Sequence, residues 1–132
     1  MEHRRLPRLP KTACIIAFMY GKKKAILSAS SLFLDHDQDY DSLKSGQWRF
    51  PPPYLAIHRF AVRSDHHAQG IATRILETVD QIARERKIMT IRVDTHELNL
   101  PMISVLTKNG FSRCGEVLIE KTKPRIAFDK RI

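Results

Sequence analysis

The chain has 132 residues, 42% hydrophobic and 28% charged, with a formal net charge of +9. That length suits a single domain, 1–132, with a core of its own, and the composition is that of an ordinary soluble globular protein. No apolar run approaches a membrane span. Met1-Glu2-His3-Arg4-Arg5 has no apolar stretch behind it, so no secretion signal is read and the cytoplasm is the expected location.

Positive charge in excess calls for an anionic partner: a nucleic acid, an acidic surface or a phosphorylated cofactor. The basic residues are scattered, with small clusters at Arg4-Arg5, 22–24 and 121–125, and no aromatic residues interleave with them. That weighs against single-stranded nucleic acid. Cys14 and Cys114 lie far apart in apolar surroundings and read as buried thiols, not as a disulfide or metal ligands.

Residues 1–11 are basic, contain Pro7 and Pro10, and read as a tail or irregular lead-in. Residues 14–20 and 25–33 are strand candidates separated by Gly21 and three lysines, a hairpin pattern. The alternating aspartates of 35–41 suggest calcium. However, an EF-hand loop needs glycine at its sixth position and glutamate at its twelfth, where this chain has Tyr40 and Gly46. A solvated acidic loop is the expectation, running on to Pro51-Pro52-Pro53, which end any regular element.

Residues 54–62 form the best strand. Leu55, Ile57 and Ala61 alternate with Tyr54, Phe60 and Val62, so both faces are apolar and a central position is expected. A loop follows to about Gln69. Then Ile71, Ala72, Ile75, Leu76, Val79, Ile82 and Ala83 recur at helical spacing, predicting a helix from Gly70 to near Lys87. A strand is expected over 89–95 and a short helix over 101–109, begun by Asn99 or Leu100 and ended by Gly110. A closing hairpin is read at 117–120 and 126–128. The order β-β-β-α-β-α-β-β is that of a mixed-sheet α/β (α+β) domain.

The stretch 60–76 carries the chemistry. A central strand ends, the chain turns, and a helix begins. A helix start offers unpaired N–H groups and the positive end of a dipole, which suits a pyrophosphate. Gly70 and Ala72 are small enough for close approach to the backbone, and Arg63, Arg74 and two histidines add positive charge. Neither GxxxxGK(S/T) nor GxGxxG is present. His66 and His67 are adjacent and point apart, so no metal site is read.

His67-Ala68-Gln69-Gly70-Ile71-Ala72, following Phe60-Ala61-Val62, resembles the Arg/Gln-x-x-Gly-x-Gly/Ala loop of the GNAT N-acetyltransferases. Ile91 to His96, Asn99, Lys108-Asn109-Gly110-Phe111 and Arg125 to Lys130 resemble later parts of the same family in the same order, most like its small bacterial members. The resemblance covers residues 14–130. It implies the GNAT fold and direct transfer of acetyl from acetyl-CoA to a primary amine, on a small molecule or a peptide, without a metal.

It also implies a cofactor site formed by Phe60, Ala61, Val62, His67, Ala68, Gln69, Gly70, Ile71, Ala72, Thr73, Asn99 and Lys108. The main chain of Phe60 and Val62 would pair with the pantetheine arm, and the Val62 amide would meet the thioester oxygen. His58, Asp94 and His96 are the candidate bases. Asp94 and His96 are equally read as fixing the turn into the last helix. Three departures stand out. His67 replaces Arg or Gln. Leu106 occupies the place of a tyrosine that commonly protonates the leaving thiolate. Residues 1–11 are too few for the family's first strand and two helices, which leaves a sheet edge that would favour a homodimer. A non-catalytic CoA-binding module is the alternative, with a basic nucleic-acid-binding domain behind it.

Overall fold

The computed structural model describes the backbone of residues 14–20, 26–34, 36–62 and 66–132. Side chains are described for 36–58, 60, 70 and 72–132. The lead-in at 1–11, the turn at 21–24, Arg63 and the side chains of Cys14, Ala61, Val62, His66, His67, Ala68, Gln69 and Ile71 lie outside the described residues.

The strands are β1 (Cys14–Tyr20), β2 (Ile26–Leu34), β3 (Ser45–Gly46), β4 (Tyr54–Val62), β5 (Thr90–Thr95), β6 (Ser112–Ile119) and β7 (Lys123–Arg131). The helices are α1 (His66–Glu85) and α2 (Leu100–Lys108). The strands form one sheet in the order β1-β2-β4-β5-β7-β6-β3. Every neighbouring pair is antiparallel except β4 and β5, which α1 joins as a parallel crossover.

The two sheet faces are covered differently. On one, Ala72, Ile75, Leu76, Val79, Ile82 and Ala83 of α1 are at most 3% exposed and pack with α2 against Leu55, Ile57, Ile91 and Val93. Burying each large aliphatic side chain there contributes roughly 1.5–3 kcal/mol before entropy is charged against it. The other face carries residues 36–53, laid across the sheet as a strap. Its core is Tyr40, Tyr54, Ala56, Val117 and Ala127. β4 is apolar on both faces because each of these layers needs it.

The end of α2 shows how local sequence fixes an element. The Phe111 N–H donates to Leu106 O at 3.0 Å and the Gly110 N–H to Thr107 O at 3.3 Å. This is a Schellman closure, with Gly110 at φ 88° and Leu106 and Phe111 both in the core. Asn99 opens the same helix, its Oδ1 accepting from the Met102 N–H at 3.2 Å.

Several boundaries differ from the sequence expectation. α1 begins at His66, four residues before Gly70, because nothing in His66-His67-Ala68-Gln69 breaks a helix; only the apolar periodicity starts later. β6 and β7 are longer than the expected 117–120 and 126–128, since their polar ends are held by pairing, not by burial. The turn between them uses Glu120 and Lys121, both at positive φ, and Pro124 lies within β7. The acidic segment is not simply solvated: Asp37 caps a 3-10 turn (Gln38–Tyr40), and both Asp37 and Tyr40 are buried. The tertiary partners described next bury them.

Asp129 anchors the strap. It is fully buried on β7 and accepts from the Arg49 N–H at 2.8 Å, Arg49 Nε at 2.7 Å and the Phe50 N–H at 3.1 Å. Arg92 lies between Trp48 and Tyr54, with its guanidinium 4.4 and 4.1 Å from the two ring centres, and donates to Phe50 O at 2.8 Å. Beside them β3 meets β6 so closely that a Cβ on Gly46 would lie 2.1 Å from Cys114 O.

Asp129→Ala is expected to cost about 3 kcal/mol in urea unfolding, because it strands buried N–H groups and their charge-assisted partner. Arg49→Ala leaves the fully buried Asp129 carboxylate with only its two backbone donors, and is expected to cost about 1–3 kcal/mol.

Candidate functional site

The site begins with a defect in the sheet. Ser30 pairs with Ala61 and Leu32 with His58, so three steps along β4 match two along β2. β4 therefore carries an extra residue, a β-bulge, between His58 and Ala61. On its other side β4 pairs with β5 only from Tyr54↔Thr90 to Ile57↔Val93. Both strands continue, β4 to Val62 and β5 to Thr95, without a further pair between them. The sheet opens here into a gap between two parallel strands, with α1 starting a few residues beyond the end of β4.

The bulge corrects the expected alternation of β4. Tyr54 belongs to the strap-side core, whereas Phe60 packs with the helix-side core, although regular pleating would put both on one face. The extra residue reverses the facing, so His58 and Phe60 do not share a side as the sequence parity implied.

His58 and Asp94 stand at the mouth of the gap, one residue beyond the last β4–β5 pair on each strand. Around them the strap supplies two residues that the sequence reading assigned to a solvated loop. Asp37 forms an ion pair with His58 through Oδ2 and Nε2. Tyr40 stacks on the His58 ring, with centroids 5.6 Å apart, and donates its hydroxyl to Asp94 Oδ2 at 2.5 Å. Asp37 is itself held: Oδ1 accepts from the Asp39 N–H at 2.8 Å, and its backbone exchanges two 3.0 Å hydrogen bonds with the Tyr54 hydroxyl. Only Asp37 itself, an Asx-turn and cap former that accepts from the N–H two residues on, hinted at this.

The titration of these groups follows from their surroundings. Burial raises the Asp37 carboxyl, but the His58 hydrogen bond, the Asp39 N–H and the charges of His58 and His36 outweigh it and hold the group below its ordinary value. Burial raises Asp94, and the opposing hydrogen bond from Tyr40 and charge of His58 do not fully offset it. Burial and then the neighbouring Asp94 charge push the Tyr40 phenol well up.

The remaining sequence candidates fall in several places. His96 is exposed, and its Nδ1 accepts from the Leu98 N–H at 3.1 Å, so it fixes the turn into α2. It also lines a cavity of about 170 Å³ with Glu97, Arg113, Glu116, Arg125 and Ile126. Asn99 caps α2, Lys108 is exposed in the last turn, and Thr73 accepts from Asn109 Nδ2 at 3.3 Å, linking the two helices. Ala72 is buried in the core and Gly70 is exposed in the second turn of α1. Leu106 is fully buried, which commits that position to packing. Cys114 is a free, half-buried thiol, pushed up by burial. Among the described residues no group of three His, Cys, Asp or Glu is placed to hold a metal ion, and no helix is long and apolar enough to cross a membrane.

The profile of the Acetyltransferase (GNAT) family matches residues 11–111. A streptothricin acetyltransferase from Escherichia coli is 27% identical over 73 residues, 54% of this chain and 42% of that protein. The chain thus spans less than half the length of that curated relative. A GNAT-family acetyltransferase structure from Streptococcus agalactiae superposes with a TM-score of 0.67 at 28% identity, covering 83% of this chain and 62% of that one. A candidate streptothricin acetyltransferase from Bacillus anthracis, solved in complex with acetyl coenzyme A, shares the fold with a TM-score of 0.66 at 15% identity, covering 95% and 65%.

Asp94→Asn tests the buried carboxyl. From its ordinary value of 3.8 up to its raised folded value, the native state binds more protons than the unfolded chain. Wild-type stability therefore falls as pH rises through that window, and the loss persists at neutral pH. Asparagine keeps an acceptor for Tyr40 without the charge. The variant is expected to unfold at a higher temperature than wild type at pH 7, with the difference shrinking as pH falls below 3.8.

Proposed function

Because the chain belongs to the GNAT acetyltransferase family, we propose that it moves acetyl from acetyl-CoA to a primary amine, on a small molecule or a peptide. The observation that carries this reading is the gap between β4 and β5. Past Ile57, β4 has backbone groups without a strand on its β5 side, the arrangement an extended pantetheine arm needs. In the proposed arrangement the main chain of Phe60, Ala61 and Val62 holds that arm, and the Val62 amide aims at the thioester oxygen.

Gly70 supports the same placement of the pyrophosphate. Glycine in a helix interior costs about 1 kcal/mol relative to alanine. Among the described residues the fold does not require it, since a Cβ built there meets none of their atoms within 4 Å. A ligand passing over the backbone of the first turns would account for it. The first turn of α1, 66–69, holds no acidic residue that would compete with an anion for the positive end of the helix dipole. In this reading His67, Ala68, Gln69, Ile71, Ala72 and Thr73 complete the phosphate-binding turns, and Asn99 and Lys108 lie toward the cofactor from α2.

Acetyl-CoA supplies the activated acetyl group. The protein positions the amine, polarises the carbonyl and removes one proton as the C–N bond forms and the C–S bond breaks. His58 is the proposed base, at the mouth of the gap and with its side chain 18% exposed. Asp94, committed to Tyr40, and His96, committed to the α2 turn, are weaker candidates on the same geometry. A second reading, a CoA-binding module without turnover, draws on buried Leu106, where the family's proton donor would stand.

Titration calorimetry with acetyl-CoA tests the reading. Wild type is expected to bind, and Gly70→Glu to lose binding while remaining folded, because its Cβ enters open space. Gly70→Ala is expected to stabilise the free protein by about 1 kcal/mol in thermal unfolding. Retained affinity in Gly70→Glu would remove the phosphate from this turn. Binding without thiol release across a broad amine panel would favour the module.

A further inference from the structure

Resting on the transferase reading, we propose that Asp37 is the positioning residue of the reaction: it selects the tautomer of His58 in which Nδ1 is the proton acceptor.

Two groups bound to each other can set a tautomer only if each is held, and both are. Asp37 lies at the start of the 3-10 turn, with Oδ1 occupied by the Asp39 N–H and its backbone tied to the Tyr54 hydroxyl. Its second oxygen faces His58 Nε2. The imidazole is fixed in plane by the Tyr40 ring stacked on it, and Tyr40 is in turn held by Asp94 and by Trp48, whose Nε1 donates to Tyr40 O at 3.0 Å. An ionised carboxylate is a pure acceptor, so it demands the proton on Nε2 and leaves the lone pair on Nδ1. With Asp37 ionised, the neutral imidazole therefore carries its proton on Nε2 and leaves Nδ1 as the acceptor.

The charge balance follows. As the acceptor nitrogen attacks and the C–S bond breaks, His58 Nδ1 takes the proton from that nitrogen and becomes imidazolium. The Asp37 carboxylate stabilises that cation. The proton passes on to the departing thiolate or to water, and His58 returns to its starting tautomer. The ionisable groups around His58 are Asp37 on the strap, the Tyr40 hydroxyl and Asp94 on β5, with Arg125 favouring the ionised form of Asp94.

Asp37→Asn separates this role from a structural one. Asparagine caps a turn about as well as aspartate, so the Asp39 contact and the fold are expected to survive. Its second atom becomes an NH2 donor facing Nε2. That reverses the tautomer, placing a proton on Nδ1 where the lone pair is needed. Expected are unchanged acetyl-CoA affinity, a kcat lower by about a hundredfold or more, and an acidic limb of the kcat/KM profile displaced to lower pH, since the imidazolium has lost its anion. Histidine-15N spectra of wild type, with His58→Gln to assign the signal, are expected to show a protonated Nε2 and an unprotonated Nδ1 at pH above the limb.

Equal kcat and an unmoved limb in Asp37→Asn, with wild type active, would overturn this inference and leave the transferase reading intact. Should Asp37→Asn fail to fold, the wild-type spectra decide: a proton on Nδ1 would overturn the proposal equally. A wild type that binds no acetyl-CoA would instead remove the transferase reading, and this role with it.

Discussion

Strand β4 cannot pair regularly with both of its neighbours. One additional residue between His58 and Ala61 puts it out of step with β2, and its ladder with β5 ends at Ile57 and Val93. The local consequences shape the candidate site. The strand bends, two parallel strands part in the middle of a sheet, and main-chain groups that elsewhere would be satisfied by a neighbour face a gap. The bulge also divides β4 between two layers, sending Tyr54 to the strap and Phe60 to the helices.

Such a gap persists only if both ends of the sheet are held. On the helix side, α1 and α2 pack across β4 and β5 together, and Lys130 of β7 binds Asp80 of α1 at 2.8 Å. On the opposite side the strap crosses the same strands. Asp129 on β7 grips it at Arg49, Arg92 on β5 grips it through Trp48 and Phe50, and His58 on β4 and Asp94 on β5 meet it at Asp37 and Tyr40. The strap is thus the element that connects the two lips of the opening, and its polar contacts fall at the point where the strands separate.

Leu106 shows how one position can be given to structure instead of chemistry. It is the third residue from the end of α2, where its carbonyl closes the Schellman turn and its side chain meets Phe111 in the core. A hydroxyl there would have to leave the core to act. The titratable groups of the candidate site lie on the strap side, where Tyr40 and Asp37 converge on His58 and Asp94.

Periodicity and punctuation were enough to read the chain's skeleton. The alternation in 54–62 marked a central strand, the apolar spacing from Ile71 to Ala83 marked the long helix, and Asn99 and Gly110 marked both ends of the short one, because these signals are local and each residue carries its own preference. The order of the main elements and the family resemblance were legible for the same reason, whereas the two-residue β3 was not, being a strand only by its pairing with β6. The bulge was not, since an extra residue is defined only against a partner strand, and β2 carries no mark of it. Asp37 and Tyr40 were not legible either. Four aspartates alternating with polar residues look solvated until a fold brings a histidine, a second carboxylate and two aromatic rings over them. Burial and pairing of polar groups are long-range properties, decided here by contacts that span 54 residues from Tyr40 to Asp94 and 80 from Arg49 to Asp129.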